Sequence, residues 1–190
     1  MTPFVTLRRR ALLQGLLGGA AVIGAGWTPA IAAPAAEVGA LAPEFDLSGP
    51  AGRVQLSQLH GQCVYLDFWA SWCGPCRQSF PWMNEIAQRH AGRGLQVVAI
   101  NLDAKPADAE RFLAELPAHF TVLFDAKGDT PRRFGVKAMP TSLLIGPDGR
   151  VLWQHVGFRA DDGSALERQI TDALASLGHA AERSSPRTPT

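Results

Sequence analysis

The stretch Tyr65–Arg77, YLDFWASWCGPCR, constrains this chain more than any other. Its first half is an apolar run with aromatic character, which reads as a buried strand. Beyond Trp72-Cys73-Gly74-Pro75-Cys76, the residues Phe80, Met83, Ile86 and Ala87 recur three and four apart, the spacing of an amphipathic helix. Two cysteines therefore fall at a strand-to-helix turn. Unpaired N–H groups and the positive end of the helix dipole favour thiolate there. Cys73 lies at the mouth of the helix, where it can meet a partner. Cys76 is three residues on, on the same face and one turn deeper, within reach of the first sulfur. Pro75 suits a first turn, because its missing N–H has no intrahelical acceptor there.

These residues resemble the thioredoxin superfamily, and the wider chain resembles its exported TlpA/ResA-type thiol–disulfide oxidoreductases. The likeness runs from Val38 to Leu177. It is carried by the lead-in Gly39-Ala40-Leu41-Ala42-Pro43-Glu44-Phe45-Asp46-Leu47, by Cys-Gly-Pro-Cys, and by Phe134-Gly135-Val136-Lys137-Ala138-Met139-Pro140-Thr141. A lone CxxC also fits half a zinc site. FWAxWCGPC followed later by xPT before an apolar strand is far more specific.

The resemblance implies that Cys73 and Cys76 are catalytic. It implies that Trp72, Gly74, Pro75, Met139 and Pro140 support substrate binding, with a cis Met139–Pro140 bond whose loop lies against the cysteines. A trans-proline turn is the plain alternative. Asp67, six residues before Cys73, matches the buried aspartate of thioredoxins and would move a proton to or from Cys76. TlpA/ResA-type proteins more often carry Asn there. A carboxylate in Tyr-Leu-Asp-Phe-Trp costs several kcal/mol to bury unpaired and responds by raising its pKa. An Asp bonded only to backbone is the structural alternative. Cys63 starts the same strand and reads as a small buried hydrophobe, with a resolving or regulatory role as the other option.

The 190 residues, with net charge +1, suit one domain plus appendages. Near-neutral charge gives no sign of a nucleic-acid partner. Three cysteines, two of them in one motif, exclude a disulfide-stapled scaffold.

Residues 1–32 read as a signal peptide. Arg8-Arg9-Arg10 is a basic start, Ala11–Ala25 an apolar segment, and Ala30-Ile31-Ala32 a small-x-small site cleaved after Ala32. Arg9-Arg10 followed by Ala11-Leu12-Leu13-Gln14 resembles a twin-arginine signal, and an ordinary Sec signal fits too. An uncleaved anchor is a third option, although the segment is short and glycine-rich. Either export route leads to a bacterial-type periplasm or the cell exterior, and the periplasm is the expected location. Residues 33–42 are a linker, 43–178 the thioredoxin-like domain, and 179–190 a disordered polar tail.

In order, short strands at Glu44–Leu47 and Arg53–Leu56 form a hairpin, and the central strand runs from Cys63 to Trp69. The site helix extends to Arg89 and should kink at Pro81. Leu95–Leu102 is a strand, ended by turn and cap chemistry at Asn101 and Asp103. Pro106–Leu116 and Thr121–Phe124 form the αβ insertion of TlpA-like proteins, and Thr130–Phe134 is a short helix. Ser142–Ile145 and Arg150–His155 form a hairpin. His155, alternating along its strand, reads as a surface residue and not as a metal ligand. A helix from Ala165 to Leu177 follows, with Ser164 and Glu167 as its capping box. The expected fold is α/β: a thioredoxin-like mixed sheet with parallel centre, antiparallel C-terminal hairpin, and helices on both faces.

The resemblance further implies protein-disulfide substrates, a membrane electron donor of DsbD/CcdA type, no cofactor, no metal and a monomer. Gly74-Pro75 is the dipeptide of the reducing thioredoxins, so a reductase is expected, with apocytochrome c or a copper-site protein as substrate. Two other classes stay open. Thiolates select Cu(I), so the pair could serve a metallochaperone, though the wider CxxxC and distal His of Sco-type proteins are absent. A peroxiredoxin-like peroxidase shares the fold, but needs a lone peroxidatic cysteine after a Pro/Thr pattern, which Trp72-Cys73 lacks.

Overall fold

The computed structural model describes residues 36–184, with side chains through residue 176. The chain divides into two units, Met1–Ala32 and Ala33–Thr190. The signal-peptide reading, the cleavage site, the start of the linker and the last six residues of the tail lie outside the described residues.

Strands β1 (Asp46–Gly49) and β2 (Gly52–Gln55) precede a single 3-10 turn at Leu56–Leu59. Then come β3 (Cys63–Trp69), α1 (Gly74–Arg89), β4 (Leu95–Asn101), α2 (Pro106–Glu115), β5 (Thr121–Phe124), α3 (Asp129–Arg133), β6 (Thr141–Ile145), β7 (Val151–Val156) and α4 (Asp162–Ser184). One seven-stranded sheet has the order β2-β1-β5-β4-β3-β6-β7. Strands β3, β4 and β5 pair in parallel, and β6 and β7 add antiparallel at one side. This is the expected mixed α/β sheet. β1 joins it through an antiparallel contact between Ser48 and Phe124. The approach at Gly49 is so close that a Cβ there would stand 1.8 Å from the Val122 carbonyl oxygen, so only glycine fits.

Strand β3 is buried throughout, and its two-residue period divides the core. Cys63, Tyr65 and Trp69 face a cluster built with Phe80 and Met83 of α1, Phe112 of α2, and Ile170 and Leu174 of α4. Val64, Leu66 and Phe68 face a second cluster with Phe134, just after α3, and Phe45 from the N-terminal segment. Asp67 belongs to the first set by its place in the strand.

The structure corrects several boundaries. The first hairpin sits two residues later than expected at its start, and Leu56 belongs to the 3-10 turn. Pro81 lies inside α1, which continues past it to Arg89, the expected end. Helix α4 begins at Asp162, not after Ser164, and the Asp162 carboxylate accepts the Arg159 N–H at 2.7 Å. It continues to Ser184, so residues 179–184 are helical and not disordered. Gly178 costs a helix only about 1 kcal/mol relative to Ala, and the His-Ala-Ala-Glu-Arg that follows does not break it. Part of the expected linker is also tied down. Gly39 N–H donates to Val151 at 2.8 Å, Val151 N–H to Ala40 at 2.9 Å, and Ala42 N–H to Gly149 at 2.8 Å, which ties this segment to the first residue of β7 and the turn before it.

Candidate active site

The site forms where β3 ends and α1 begins. Cys73 is the N-cap of α1, with extended backbone angles, and Pro75 occupies its first turn. The Cys73 sulfur takes the place of the usual capping oxygen and accepts the Cys76 N–H at 3.2 Å. Cys73 and Cys76 are joined in a disulfide, with Cα atoms 5.3 Å apart. Cys73 retains 5% of its surface while Cys76 has none, so of the two residues only Cys73 has surface that a partner can meet. Trp72, Gly74 and Pro75 are exposed around it, Trp72 to 73%. On reduction, Cys73 stays at the N-terminus of a 16-residue helix, where the dipole stabilises its thiolate.

The Met139–Pro140 bond is cis, as the resemblance implies. Half-buried Met139 packs against the cluster that holds Cys73 and Cys76. Thr141 Oγ1 donates to Ala138 O at 2.7 Å and Gly157 N–H donates to Pro140 O at 2.8 Å, which pins the loop on both sides.

Asp67 is fully buried. Its Oδ1 accepts the Ser142 hydroxyl at 2.8 Å, and its Oδ2 has no hydrogen-bond partner. Burial pushes its pKa up to about 7, and the Ser142 bond opposes that rise. The reading of Asp67 as a carboxylate held only by backbone is therefore corrected: its bonded partner is a side chain on β6. Cys63 is buried and free, and burial raises its thiol to about 11, which keeps it protonated and unreactive near neutral pH. That favours the packing reading over a resolving role. His155 is partly buried, with Nε2 3.6 Å from Asp162 Oδ2. Among the described residues, no group of three or more His, Cys, Asp or Glu side chains is placed to hold a metal ion.

Sequence reasoning missed the brace behind the cysteine loop. Asp103 accepts the Ser71 N–H at 2.9 Å, the Ser71 hydroxyl at 3.0 Å and the Asn101 amide at 2.8 Å. Its own N–H donates to Asn101 Oδ1 at 3.0 Å. The chemistry is that of caps and turns, as expected, but its target is the loop that presents Trp72 and Cys73. Asp103→Ala leaves the buried Asn101 amide and the half-buried Ser71 donors unpaired. It should lower stability by about 2 kcal/mol or more, read as a lower urea midpoint at unchanged slope. An unchanged midpoint would mean that water replaces the carboxylate.

A cysteine pair seated in this way, on a sheet of this order, defines a protein of the thioredoxin-like class. The family model described as Redoxin matches residues 37–171. The thiol-disulfide oxidoreductase ResA of Bacillus subtilis (strain 168) is 33% identical over 137 residues, which span 72% of this chain and 73% of that protein. A solved structure described as thiol:disulfide interchange protein DsbE, from Chlorobium tepidum, is 62% identical, with a TM-score of 0.71, over 73% of this chain and 98% of its own. The pneumococcal exposed lipoprotein thioredoxin Etrx1 of Streptococcus pneumoniae is 30% identical, with a TM-score of 0.60, over 70% and 99%. The chain belongs to the Redoxin family, as a ResA-like thiol–disulfide oxidoreductase of the thioredoxin superfamily. Among the described residues, no helix is long and apolar enough to cross a membrane.

Proposed function

We propose that the protein is an exported, periplasmic reductase of protein disulfides that acts through Cys73 and Cys76. One observation carries this reading: the two cysteines are bonded at the N-terminus of α1, and only Cys73 meets solvent. The Cys73 thiolate attacks a target disulfide, forms a mixed disulfide and releases one target thiolate. The Cys76 thiol gives its proton to Asp67, and Oδ2 is the carboxylate oxygen free to take it. The Cys76 thiolate then attacks the Cys73 sulfur and breaks the mixed disulfide, and the second target thiolate leaves. The target gains two electrons, and this chain ends as the Cys73–Cys76 disulfide. Exposed Trp72, Gly74 and Pro75, with the Met139–Pro140 loop, form the docking surface.

Restoring the dithiol requires a dithiol donor, and in an oxidising periplasm a membrane donor of DsbD/CcdA type supplies it. Apocytochrome c and copper-site proteins are the substrates this reading favours. The basic, apolar, small-x-small pattern of residues 1–32 supports export, and the near-neutral charge accords with a protein partner. The thioredoxin-like domain acts as a monomer in this reading.

Direction is tested by equilibrating the purified protein against glutathione and a thioredoxin standard. With Gly74-Pro75 between the cysteines, the potential should lie near the thioredoxin value of about −270 mV. A potential near the value of about −120 mV for DsbA would make the protein an oxidant and reverse the assignment.

A further inference from the structure

Asp67 does not stand alone in the core. Ser142 Oγ donates to its Oδ1 at 2.8 Å, and the hydroxyl of Tyr65 donates to Ser142 Oγ at 2.8 Å. All three side chains are buried. A serine hydroxyl has one proton and two lone pairs. With Tyr65 filling one lone pair, the single Ser142 proton is directed at the carboxylate. The chain then has one sense when Asp67 is ionised, from Tyr65 through Ser142 to Asp67. Tyr65 is itself held, edge-on to Trp82 with ring centroids 5.4 Å apart and to Trp153 at 5.9 Å.

The other groups facing Asp67 can be named from the register. In its row across the sheet, Ala99 of β4 lies on one side and Ser142 of β6 on the other, with His155 of β7 next beyond Ser142. Ala99 brings neither charge nor hydrogen bond. His155 Nε2 lies 3.6 Å from Asp162 Oδ2 and makes no hydrogen bond. Helix α1 contributes Cys73 and Cys76, while α2 and α4 contribute the apolar Phe112, Ile170 and Leu174. Along β3 the neighbours on this face are Tyr65 and Trp69. Among the described residues, Ser142 is the one group that donates a hydrogen bond to the Asp67 carboxylate. A hydrogen bond to the charged form lowers a carboxylic pKa, and burial works against it.

We infer that Ser142, oriented by Tyr65, is a positioning residue that sets the proton affinity of Asp67. By doing so it sets the pH above which the carboxylate can accept the Cys76 proton. That consequence rests on the role proposed above for Asp67. The affinity itself does not.

The test uses the oxidised full chain with carboxyl-13C aspartate, titrated by NMR, the Asp67 signal being identified by its loss in Asp67→Asn. Ser142→Ala should move the Asp67 midpoint upward by about one pH unit or more, about tenfold in proton affinity, as expected for losing a bond to a charged group. Tyr65→Phe keeps the ring packing and removes only the aligning donor. Its shift should be upward and smaller. Midpoints unchanged in both variants would overturn the inference. If Ser142→Ala fails to fold, Tyr65→Phe alone decides, and an unmoved midpoint there overturns it. A shift in Ser142→Ala without one in Tyr65→Phe would remove Tyr65 from the assignment.

The pH profile of mixed-disulfide resolution, measured on the same variants, separates this inference from the proposed mechanism. A resolution profile displaced with the midpoint supports both. A moved midpoint with an unmoved profile leaves Ser142 in its role and removes Asp67 from that of proton acceptor.

Discussion

Cys76→Ser should arrest the reaction at the mixed disulfide. The first attack needs only the sulfur of Cys73, the one residue of the pair with any exposed surface. Release needs a second sulfur already positioned against it, and Cys76 is close enough to bond Cys73 directly. Intramolecular attack in good geometry has effective molarities of about 10⁵ M or more at best. A millimolar external thiol cannot match that, so multiple turnover should fall by about 10³-fold or more. Expressed in the periplasm, the variant should accumulate covalently bound partners, seen as bands that collapse on reduction and named by mass spectrometry. Cys73→Ser should accumulate none. If Cys73→Ser trapped partners and Cys76→Ser did not, the roles of the two sulfurs would be exchanged. The trapped set would also show whether haem-accepting or copper-site proteins are the substrates.

Asp67→Asn should slow resolution by about 10²-fold, up to about 10⁴-fold, the range for general acid–base help. The first attack by Cys73 should change little. The variant should also be more stable, with a pH dependence of definite sign. The folded pKa, about 7, lies above the ordinary value of 3.8. The native state therefore holds this proton more tightly than the unfolded chain, and the group weakens the fold as pH rises between about 4 and 7. Its cost is absent below about pH 3 and complete above about 7. The gain from Asn should be near zero at about pH 3 and about 1 kcal/mol or more at about pH 8, with a ceiling of about 4 kcal/mol for a shift of this size. Asn retains an oxygen that can accept the Ser142 hydroxyl, so the row across the sheet survives. Stopped-flow reduction of a model disulfide and denaturant melts, both run across pH, test the two halves. Equal resolving rates at every pH would make Asp67 structural. A less stable variant would show that its carboxylate makes a bond that Asn cannot.

What the sequence settled by itself was local. A short run of Val, Tyr, Leu, Phe and Trp, β-branched and aromatic in character, reads as a buried strand, and it occupies Cys63–Trp69 as read. The 3.6-residue period after Cys73 places Phe80, Met83 and Ile86 inward on α1, and Pro75 and the helix mouth put Cys73 at its cap. The order of strands and helices follows from such periods, since each element carries the record of its own buried face. Even Asp67 announced itself, because a carboxylate among apolar neighbours is costly wherever the strand ends up.

The tertiary structure alone decided which polar atoms meet. Ser142 reaches Asp67 across 75 positions of sequence, and Ser71 reaches Asp103 across 32. Both pairings depend on the placing of strands and loops, and nothing within one strand records the register of its neighbour. The lead-in at 39–42 has too little pattern to read as paired, yet Val151 at the start of β7 and Gly149 in the turn before it supply the N–H and C=O groups that hold it. The extent of α4 was hidden for the opposite reason. Gly178 carries a stop signal, but a glycine inside a helix costs only about 1 kcal/mol, too little to end one that good helix formers continue. Periodicity reports the burial of one element on its own. Hydrogen-bond partners drawn from distant elements exist only once the sheet order and register have brought their atoms within 3 Å.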